Sequence, residues 1–158
     1  DPKGDTGRPF LCSSQSSTTK HPEIDFNLSH SGDLAIIAIG NGRQRIGVDL
    51  ERTKQMRDLD QLARRVLTPP EIDYLESASN DEKKLSTFFR FWTLKEAYLK
   101  AIGTGLQVDM TRIEIALQEE GHHFRKLPDR APRLGLEFEP APGYRAALLL
   151  LAATSTLE

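Results

Sequence analysis

Two carboxylates, Asp49 and Glu51, lie two positions apart in the segment Ile46–Glu51, where apolar residues alternate with others. If this segment is a β-strand, both acids point to one face and the apolar side chains to the other. Strand geometry separates the two Cα atoms by about 6.5–7 Å, so both carboxylates can reach one cation. Oxygen ligands suit a hard ion such as Mg2+, which also takes phosphate oxygens. The alternative, which spacing alone favours, is a solvated strand face with two ordinary acids.

A third carboxylate, Glu96, lies in the apolar stripe of a predicted long helix. The steps of four and three residues that define a buried helix face connect Leu85, Phe89, Trp92, Glu96, Leu99 and Gly103. A charged carboxylate in such a stripe is costly unless it has a partner. Lys100, four residues later, is one candidate, although such a pair contributes only about a few tenths of a kcal/mol. A cation shared with Asp49 and Glu51 is the other, and spacing leaves both open.

A histidine between two serines, in Ser29-His30-Ser31, precedes a predicted turn at Ser31-Gly32-Asp33. Serine hydroxyls and an imidazolium both donate hydrogen bonds to phosphate, so this segment is a candidate anion contact. A histidine with no role beyond the turn is the alternative.

Two other groups of polar residues receive structural interpretations. His122 and His123 lie in a predicted hairpin and are expected to be exposed to solvent. Glu71 is explained by a capping box with Thr68 at the start of a helix.

The elements that must position these residues are strands, then helices, then strands. Residues 26–51 alternate and contain Asn41-Gly42, a strong hairpin signal, so they predict a three-stranded antiparallel meander. One helix is expected to start at Ser79 and to end near Ile102, with Gly103 as its stop. Further helices are predicted at 59–67 and from 69, and further strands at 113–117, 134–138 and 144–151. This order indicates an α+β fold with helices packed on an antiparallel sheet.

Composition narrows the class of protein. The chain has 158 residues, of which 38% are hydrophobic and 28% charged, so it is expected to bury a core. Its net charge of -2 argues against a nucleic-acid partner. The longest apolar run, Ala146–Ala153, is too short to span a bilayer, so no membrane partner is expected. Cys12 is the only cysteine, which suits a reducing compartment, and a cytoplasmic location is predicted.

Three segments, considered together, are more specific than any one residue. They are Phe26–Gly32 (FNLSHSG), Gly47–Glu51 (GVDLE) and Phe89–Ala101 (FRFWTLKEAYLKA). In this order and at this spacing they resemble the 4'-phosphopantetheinyl transferases of the larger, surfactin-synthetase-activating type. The family fold has two similar α+β halves related by a pseudo-two-fold axis, with the active site between them. The resemblance implies Mg2+-dependent transfer of 4'-phosphopantetheine from coenzyme A to a serine of an apo acyl or peptidyl carrier protein.

The resemblance also implies which residues bind the metal and carry the reaction. Asp49, Glu51 and Glu96 are implied to bind Mg2+ together with the coenzyme A pyrophosphate. Lys100 is implied to neutralise that pyrophosphate, and Glu96 is the candidate to accept the serine proton. Glu96 and Lys100 are therefore the implied catalytic residues.

A second set of residues is implied to bind coenzyme A. Ser29 and His30 would hold the 3'-phosphate end of the cofactor, and Lys100 the pyrophosphate. Arg8, in Gly7-Arg8-Pro9, stands where the family often has a lysine that reaches a coenzyme A phosphate. Arginine keeps the charge and adds a bidentate fork.

The length of the chain departs from the family. Larger members carry most of a first half ahead of the Gly-Lys-Pro-like segment, whereas 25 residues precede Phe26 here. We expect residues 1–45 to be the remainder of a first half and residues 46–158 to be a complete second half with the metal site. Such a chain is expected to be oligomeric or marginally stable, and to be complemented by an N-terminal chain. A non-catalytic module that binds coenzyme A or a carrier protein is the alternative function.

Overall fold

The structure is a computed structural model that describes residues 24–41, 44–104 and 108–152. Arg8 and Gly42 lie outside these ranges. Within them the elements, in chain order, are β1 (Ile24–Ser31), β2 (Leu34–Asn41), β3 (Gln44–Arg52), α1 (Leu59–Val66), α2 (Pro69–Glu76), α3 (Asp81–Ile102), a 3-10 helix (Met110–Arg112), β4 (Glu114–Leu117), β5 (His122–Lys126), β6 (Pro132–Phe138) and β7 (Tyr144–Ala152). None of the helices in these ranges has the length and apolar character needed to cross a bilayer.

The strands form three antiparallel sheets. β1 pairs with β2, β4 pairs with β5, and β7 lies between β3 and β6. α3 packs against β3 and β7. The predicted α+β fold is therefore confirmed, but the predicted meander over residues 26–51 is wrong, since β3 pairs with β7 and not with β2.

β1 contacts the outer edge of β3 through side chains instead of through its backbone. Side chains at alternate positions of β1 accept hydrogen bonds of 2.7 to 3.1 Å from β3 backbone N–H groups: Ile46 to Asp25, Val48 to Asn27, Leu50 to Ser29, and Arg52 to Ser31. We call this set the polar ladder. It satisfies edge groups that would otherwise need a paired strand, which is why β3 can follow β2 in sequence without pairing with it.

Both ends of α3 have recognisable caps. The side chain of Asn80 accepts a hydrogen bond of 2.8 Å from the Lys83 N–H, so the helix starts one residue later than the Ser79 cap predicted. Gly103 ends the helix with a φ of 76°, a left-handed conformation that glycine adopts readily. The predicted end of the helix is confirmed.

α3 is buried on most of its circumference, and not along a single stripe. The sheet covers one side, while α1, α2 and β4 contribute to a core around the other. Phe91, Leu94 and Tyr98 lie off the predicted stripe and are nonetheless fully buried. Glu96, inside that stripe, is only partly buried.

The charged residue that is fully buried in α3 is Lys95, which the predicted stripe excluded. Its ammonium donates hydrogen bonds to Glu71 Oε2 at 2.6 Å, to the Val66 carbonyl at 2.8 Å and to the Met110 carbonyl at 3.1 Å. Both side chains of the Lys95–Glu71 pair are 0% exposed. Burial lowers the pKa of Lys95, against the opposing effect of Glu71. This pair connects α3 with α2.

Glu71 does more than cap α2. Its Oε2 atom accepts a hydrogen bond of 2.7 Å from the Thr68 N–H, as a capping glutamate does. Its Oε1 atom accepts one of 2.8 Å from the Ile115 N–H, which connects α2 to β4. The explanation of Glu71 by its capping box alone was therefore incomplete.

Gly47 permits the closest approach between β3 and α3. A Cβ atom at this position would overlap the carbonyl oxygen of Ala97 and would lie 2.6 Å from the Ala101 nitrogen. The absence of a side chain thus places the face of β3 that carries Asp49 and Glu51 directly against α3.

Several apolar side chains remain exposed on two surfaces. On β6, the alternation predicted a strand correctly, yet its apolar side chains are more than a third exposed: Leu134, Leu136 and Phe138. On the outer face of the β1–β2 hairpin the exposed residues include Leu28, Ile37 and Ile39. Surfaces of this kind often bind another chain. Whether this chain associates or is marginally stable stays a prediction.

Candidate active site

Asp49 is a buried carboxylate on the face of β3 that contacts α3. It is 3% exposed, so the alternative of a solvated acid is wrong for this residue. Its Oδ1 atom accepts hydrogen bonds from the Lys100 ammonium at 2.7 Å and from the Ser29 hydroxyl at 3.0 Å. Burial raises the pKa of Asp49, while Lys100 and Ser29 act in the opposite direction. The buried Oδ2 atom has no hydrogen-bond partner among the described residues.

Glu51, two residues further along the same face, is held at both carboxylate oxygens. The Ser31 hydroxyl donates to Oε2 at 3.0 Å, and the Trp92 indole N–H donates to Oε1 at 3.2 Å. Burial and the negative charge of Asp49 raise the pKa of Glu51, and the bonds from Ser31 and Trp92 oppose this increase. The two acids therefore point into one region between β3 and α3.

Glu96 of α3 is the third carboxylate of this region. Burial raises its pKa to about 7, and the negative charges of Asp49 and Glu51 contribute, whereas Lys100 lowers it. Asp49 and Glu51 on β3 and Glu96 on α3 therefore interact electrostatically, and the metal site that they were predicted to share stays a prediction.

Lys100 connects α3 with β1 and with β3. Besides Asp49, its ammonium donates to the Ser29 hydroxyl at 2.9 Å and to the Val48 carbonyl at 3.1 Å. The sequence predicted an interaction with Glu96 or with phosphate, and did not predict the contact with Asp49.

The side chains of this site are not arranged around a metal position. In residues 24–41, 44–104 and 108–152, no group of three or more His, Cys, Asp or Glu side chains is placed to hold one. The chemistry of the acids nonetheless fits a cation. A buried carboxylate oxygen without a partner, as in Asp49, is costly, and such an oxygen is a suitable ligand for a hard cation.

The residues predicted to bind coenzyme A have different environments. The Ser29 hydroxyl donates to Asp49 and accepts from the Leu50 N–H at 3.1 Å and from Lys100. Because a hydroxyl has one donor and two acceptor sites, Ser29 must leave Asp49 to donate to a phosphate. His30 is exposed and lies on the side of β1 opposite to Ser29. The structure does not describe Arg8.

A cavity of about 480 Å³ opens beside Glu51. Its lining includes Ser31, Glu51, Phe88 and Trp92. A larger cavity of about 740 Å³ lies elsewhere, and none of the three acids of the site lines it. The Glu51 side of the site is therefore open to a substrate.

Sequence reasoning missed a second charged cluster, which lies at the larger cavity. Arg90 donates to both oxygens of Glu137, at 2.6 and 3.1 Å, and His122 Nδ1 lies 2.8 Å from Glu137 Oε1. The His122 side chain is only 8% exposed, so the expectation that it is exposed was wrong. Nothing in the local pattern of residues 120–123 indicated that Glu137 would cover it.

This cluster predicts a measurable dependence of stability on pH. Burial alone would raise the pKa of Glu137, but the bonds from His122 and Arg90 outweigh it and lower the pKa to about 2. Since the ordinary value is 4.5, the ionised carboxylate stabilises the fold above that pH, and this contribution is lost as the pH falls towards 2. In urea unfolding, Glu137→Gln is expected to show a smaller decline in unfolding free energy between about pH 5 and about pH 3 than the parent.

The matched control for this prediction is Glu139→Gln, at the exposed position two residues away. It is expected to retain the decline of the parent. An equal decline in the Glu137 variant and the parent would contradict the prediction.

The fold is similar to that of a protein of known structure. A solved structure of a holo-(acyl-carrier-protein) synthase from Bacillus anthracis, in complex with CoA (3',5'-ADP), matches with a TM-score of 0.55 at 21% identity. The match covers 70% of this chain and 96% of that one.

The sequence comparisons define the family. The model of the 4'-phosphopantetheinyl transferase superfamily matches residues 45–149. The 4'-phosphopantetheinyl transferase HetI of Nostoc sp. is 51% identical over 92 residues, which are 58% of this chain and 38% of HetI. The 4'-phosphopantetheinyl transferase Sfp of Bacillus subtilis is 32% identical over 128 residues, which are 80% of this chain and 55% of Sfp.

This chain belongs to the 4'-phosphopantetheinyl transferase superfamily, as the resemblance indicated. It spans 38% of the length of HetI and 55% of the length of Sfp.

Proposed function

We propose that the protein to which this chain belongs transfers 4'-phosphopantetheine from coenzyme A to a serine of an apo carrier protein. The observation that carries this proposal is the group formed by Asp49, Glu51, Glu96 and Lys100 at the junction of β3 and α3, in a chain of this superfamily. The serine oxygen forms a bond to the phosphorus that bears pantetheine, the bond from that phosphorus to the second phosphate breaks, and 3',5'-ADP leaves.

In this proposal Asp49, Glu51 and Glu96 hold Mg2+. The ion, when bound, supplies positive charge that neutralises the pyrophosphate. The unpartnered Oδ2 atom of Asp49 supports this assignment. Burial, together with the negative charges of Asp49 and Glu51, raises the pKa of Glu96 to about 7, and a bound cation would offset both effects.

Lys100 and Glu96 are the proposed catalytic residues. The Lys100 side chain is 26% exposed, so a phosphate can approach it from solvent. Because an ammonium has three donors and Lys100 already uses three within the site, it would exchange one of these hydrogen bonds for one to the phosphate. Glu96 is proposed to accept the proton of the attacking serine, directly or through a water molecule. Both residues come from the last turns of α3, whose position against β3 is set by the contact at Gly47.

Ser29, His30 and Arg8 are proposed to contact the phosphates of coenzyme A. For His30 this predicts that His30→Ala weakens coenzyme A binding more than it lowers the maximal rate, because its exposed side chain lies outside the acid group. Coenzyme A affinity measured by calorimetry, compared with the maximal transfer rate, checks this prediction. His123→Ala, which alters an exposed histidine on β5, is the control. Unchanged affinity in the His30 variant would remove this residue from the proposed site.

The division of the chain at residue 46 is also part of the proposal. β3, β7 and β6 form one sheet, and α3 packs against β3 and β7, which supports residues 46–158 as one α+β unit. The β1–β2 hairpin is a separate sheet that contacts this unit through the polar ladder and through a small cluster around Ala38. The single cysteine suits a reducing compartment, and we place the protein in the cytoplasm.

A module that binds coenzyme A or a carrier protein without transfer is the second candidate function. Mass spectrometry of an apo carrier protein incubated with this chain, coenzyme A and Mg2+ decides between the two. A gain of one phosphopantetheine group supports the transferase, and binding of coenzyme A without any gain in mass supports the module.

A further inference from the structure

The carboxylate of Glu51 is fixed by uncharged donors from two different elements. Ser31 is the last residue of β1, and its hydroxyl donates to Oε2; Trp92 lies in the middle of α3, and its indole N–H donates to Oε1. The Ser31 oxygen in turn accepts a hydrogen bond of 3.0 Å from the Arg52 N–H, which orients its own O–H towards Glu51. A carboxylate offers about four lone-pair sites, so two remain for another ligand.

The absence of charge on these donors matters for what Glu51 can bind. A lysine or an arginine in the same place would compensate the carboxylate and compete with a bound cation. A hydroxyl and an indole fix the direction of the carboxylate and leave its full negative charge. Donors that orient a metal ligand in this way typically change metal affinity by about 10–100-fold.

The serine contact of this arrangement also occurs two residues earlier on both strands, although there the second donor is the charged Lys100. The Ser29 hydroxyl donates to Asp49 Oδ1 at 3.0 Å, with the same sequence separation of 20 residues as between Ser31 and Glu51. Two serines, two positions apart on β1, therefore match two acids that are two positions apart on β3. Ser29 was already a predicted site residue, and Ser31 was predicted only as part of a candidate anion contact. Neither Ser31 nor Trp92 was assigned a role toward Glu51.

We propose that Ser31 and Trp92 are positioning residues that hold the Glu51 carboxylate in the orientation in which it binds the cation. They act through Glu51 and not on the substrate. The inference rests on the proposed function, in which Glu51 is a ligand of Mg2+.

The test compares Ser31→Ala, Ser31→Thr and Trp92→Phe with the full parent chain. In the transfer assay, Ser31→Ala and Trp92→Phe are expected to raise the half-saturating Mg2+ concentration by about 10–100-fold. The maximal rate at saturating Mg2+ is expected to fall much less. Ser31→Thr keeps the hydroxyl and is expected to resemble the parent, which a purely steric role of Ser31 does not predict.

A second readout is independent of catalysis. Trp92 is the only tryptophan of the chain, so its fluorescence reports on this contact. A Mg2+ titration of that fluorescence, with coenzyme A present and carrier protein absent, is expected to shift to higher concentration in Ser31→Ala and not in Ser31→Thr. Ser86→Ala is the matched control, because Ser86 lies on α3 and accepts a hydrogen bond from Arg145. It is expected to leave both readouts unchanged.

The outcomes separate this inference from the function on which it rests. A parent chain without transfer activity counts against the proposed function, and the fluorescence titration then still tests Ser31. Lower maximal rates in Ser31→Ala and Trp92→Phe, with unchanged half-saturation by Mg2+, would overturn the positioning role and leave a structural one. Unchanged values in both variants would overturn it as well.

Discussion

Asp49→Asn is expected to lower the rate of phosphopantetheine transfer at least about a hundredfold at saturating Mg2+. Asparagine has the shape of aspartate, and its oxygen can still accept hydrogen bonds from Ser29 and Lys100. The substitution removes the negative charge and places an amide where one carboxylate oxygen, Oδ2, is buried and unpartnered among the described residues. Lys100 is partly exposed and can be solvated, so the fold is expected to survive. Mass spectrometry of the carrier protein over time gives the rate.

The matched control is Asp33→Asn, in the turn between β1 and β2. The Asp33 side chain is 92% exposed and lies 3.8 Å from Arg52, so its charge is screened by water. It is expected to retain the activity of the parent. Activity of Asp49→Asn within about tenfold of the parent would show that the metal assignment of Asp49 is wrong.

Lys95→Met is expected to lower the free energy of unfolding by about 3–5 kcal/mol. Methionine fills a similar volume, but it leaves the Glu71 carboxylate buried without its positive partner. It also leaves the carbonyls of Val66 and Met110 without the donor that they share. The measurement is equilibrium unfolding in urea at neutral pH, and the slope of the transition shows whether the unfolded states are comparable.

A partly exposed ion pair between α3 and α1 provides the control for this prediction. Lys84 lies 2.7 Å from Asp60, whose side chain is 71% exposed, so Lys84→Met is expected to cost less than about 1 kcal/mol. In the double variant Glu71→Gln, Lys95→Met, part of the lost stability is expected to return, because no buried charge then remains unpaired. A loss of less than about 1 kcal/mol in Lys95→Met alone would contradict the structural role of the pair.

The sequence was sufficient for features that depend on local periodicity. Alternation along β3 predicted that Asp49 and Glu51 share a face, and the glycine at 103 predicted the end of α3. The pairing of β3 was not predictable in this way, because its partner β7 lies about a hundred residues later. A hairpin signal at Asn41-Gly42 suggested a nearer partner, which tertiary packing did not select.

The sequence was insufficient where an element is buried on several sides. In α3, Lys95 and Glu96 are adjacent, and a single apolar stripe assigned Glu96 to the interior. Other elements cover the remaining sides of the helix, so a single apolar stripe cannot show whether Lys95 or Glu96 is enclosed. In the structure the enclosed residue is Lys95. The partner that makes this possible, Glu71, is 24 residues away, and its local capping role concealed the connection.

The sequence of β1 contains a local signal for its contacts with β3. The polar positions that alternate with apolar ones in β1 hold short side chains of the types that bind backbone groups: Asp25, Asn27, Ser29 and Ser31. In the structure all four point to the edge of β3.

The polar ladder affects how β3, the strand that carries Asp49 and Glu51, opens locally. In a strand paired backbone to backbone, the partner separates as a unit and releases several amides at once. In β3, each outer amide is held by a different side chain, so one of them can open alone. Replacing Asn27 would free the Val48 amide for hydrogen exchange and leave the Leu50 amide on Ser29. Substitutions at Asp25 and Asn27 can therefore adjust the stiffness of the backbone that carries the two acids, from a different strand. Ser29 and Ser31 are different, because they also donate hydrogen bonds to the acids themselves.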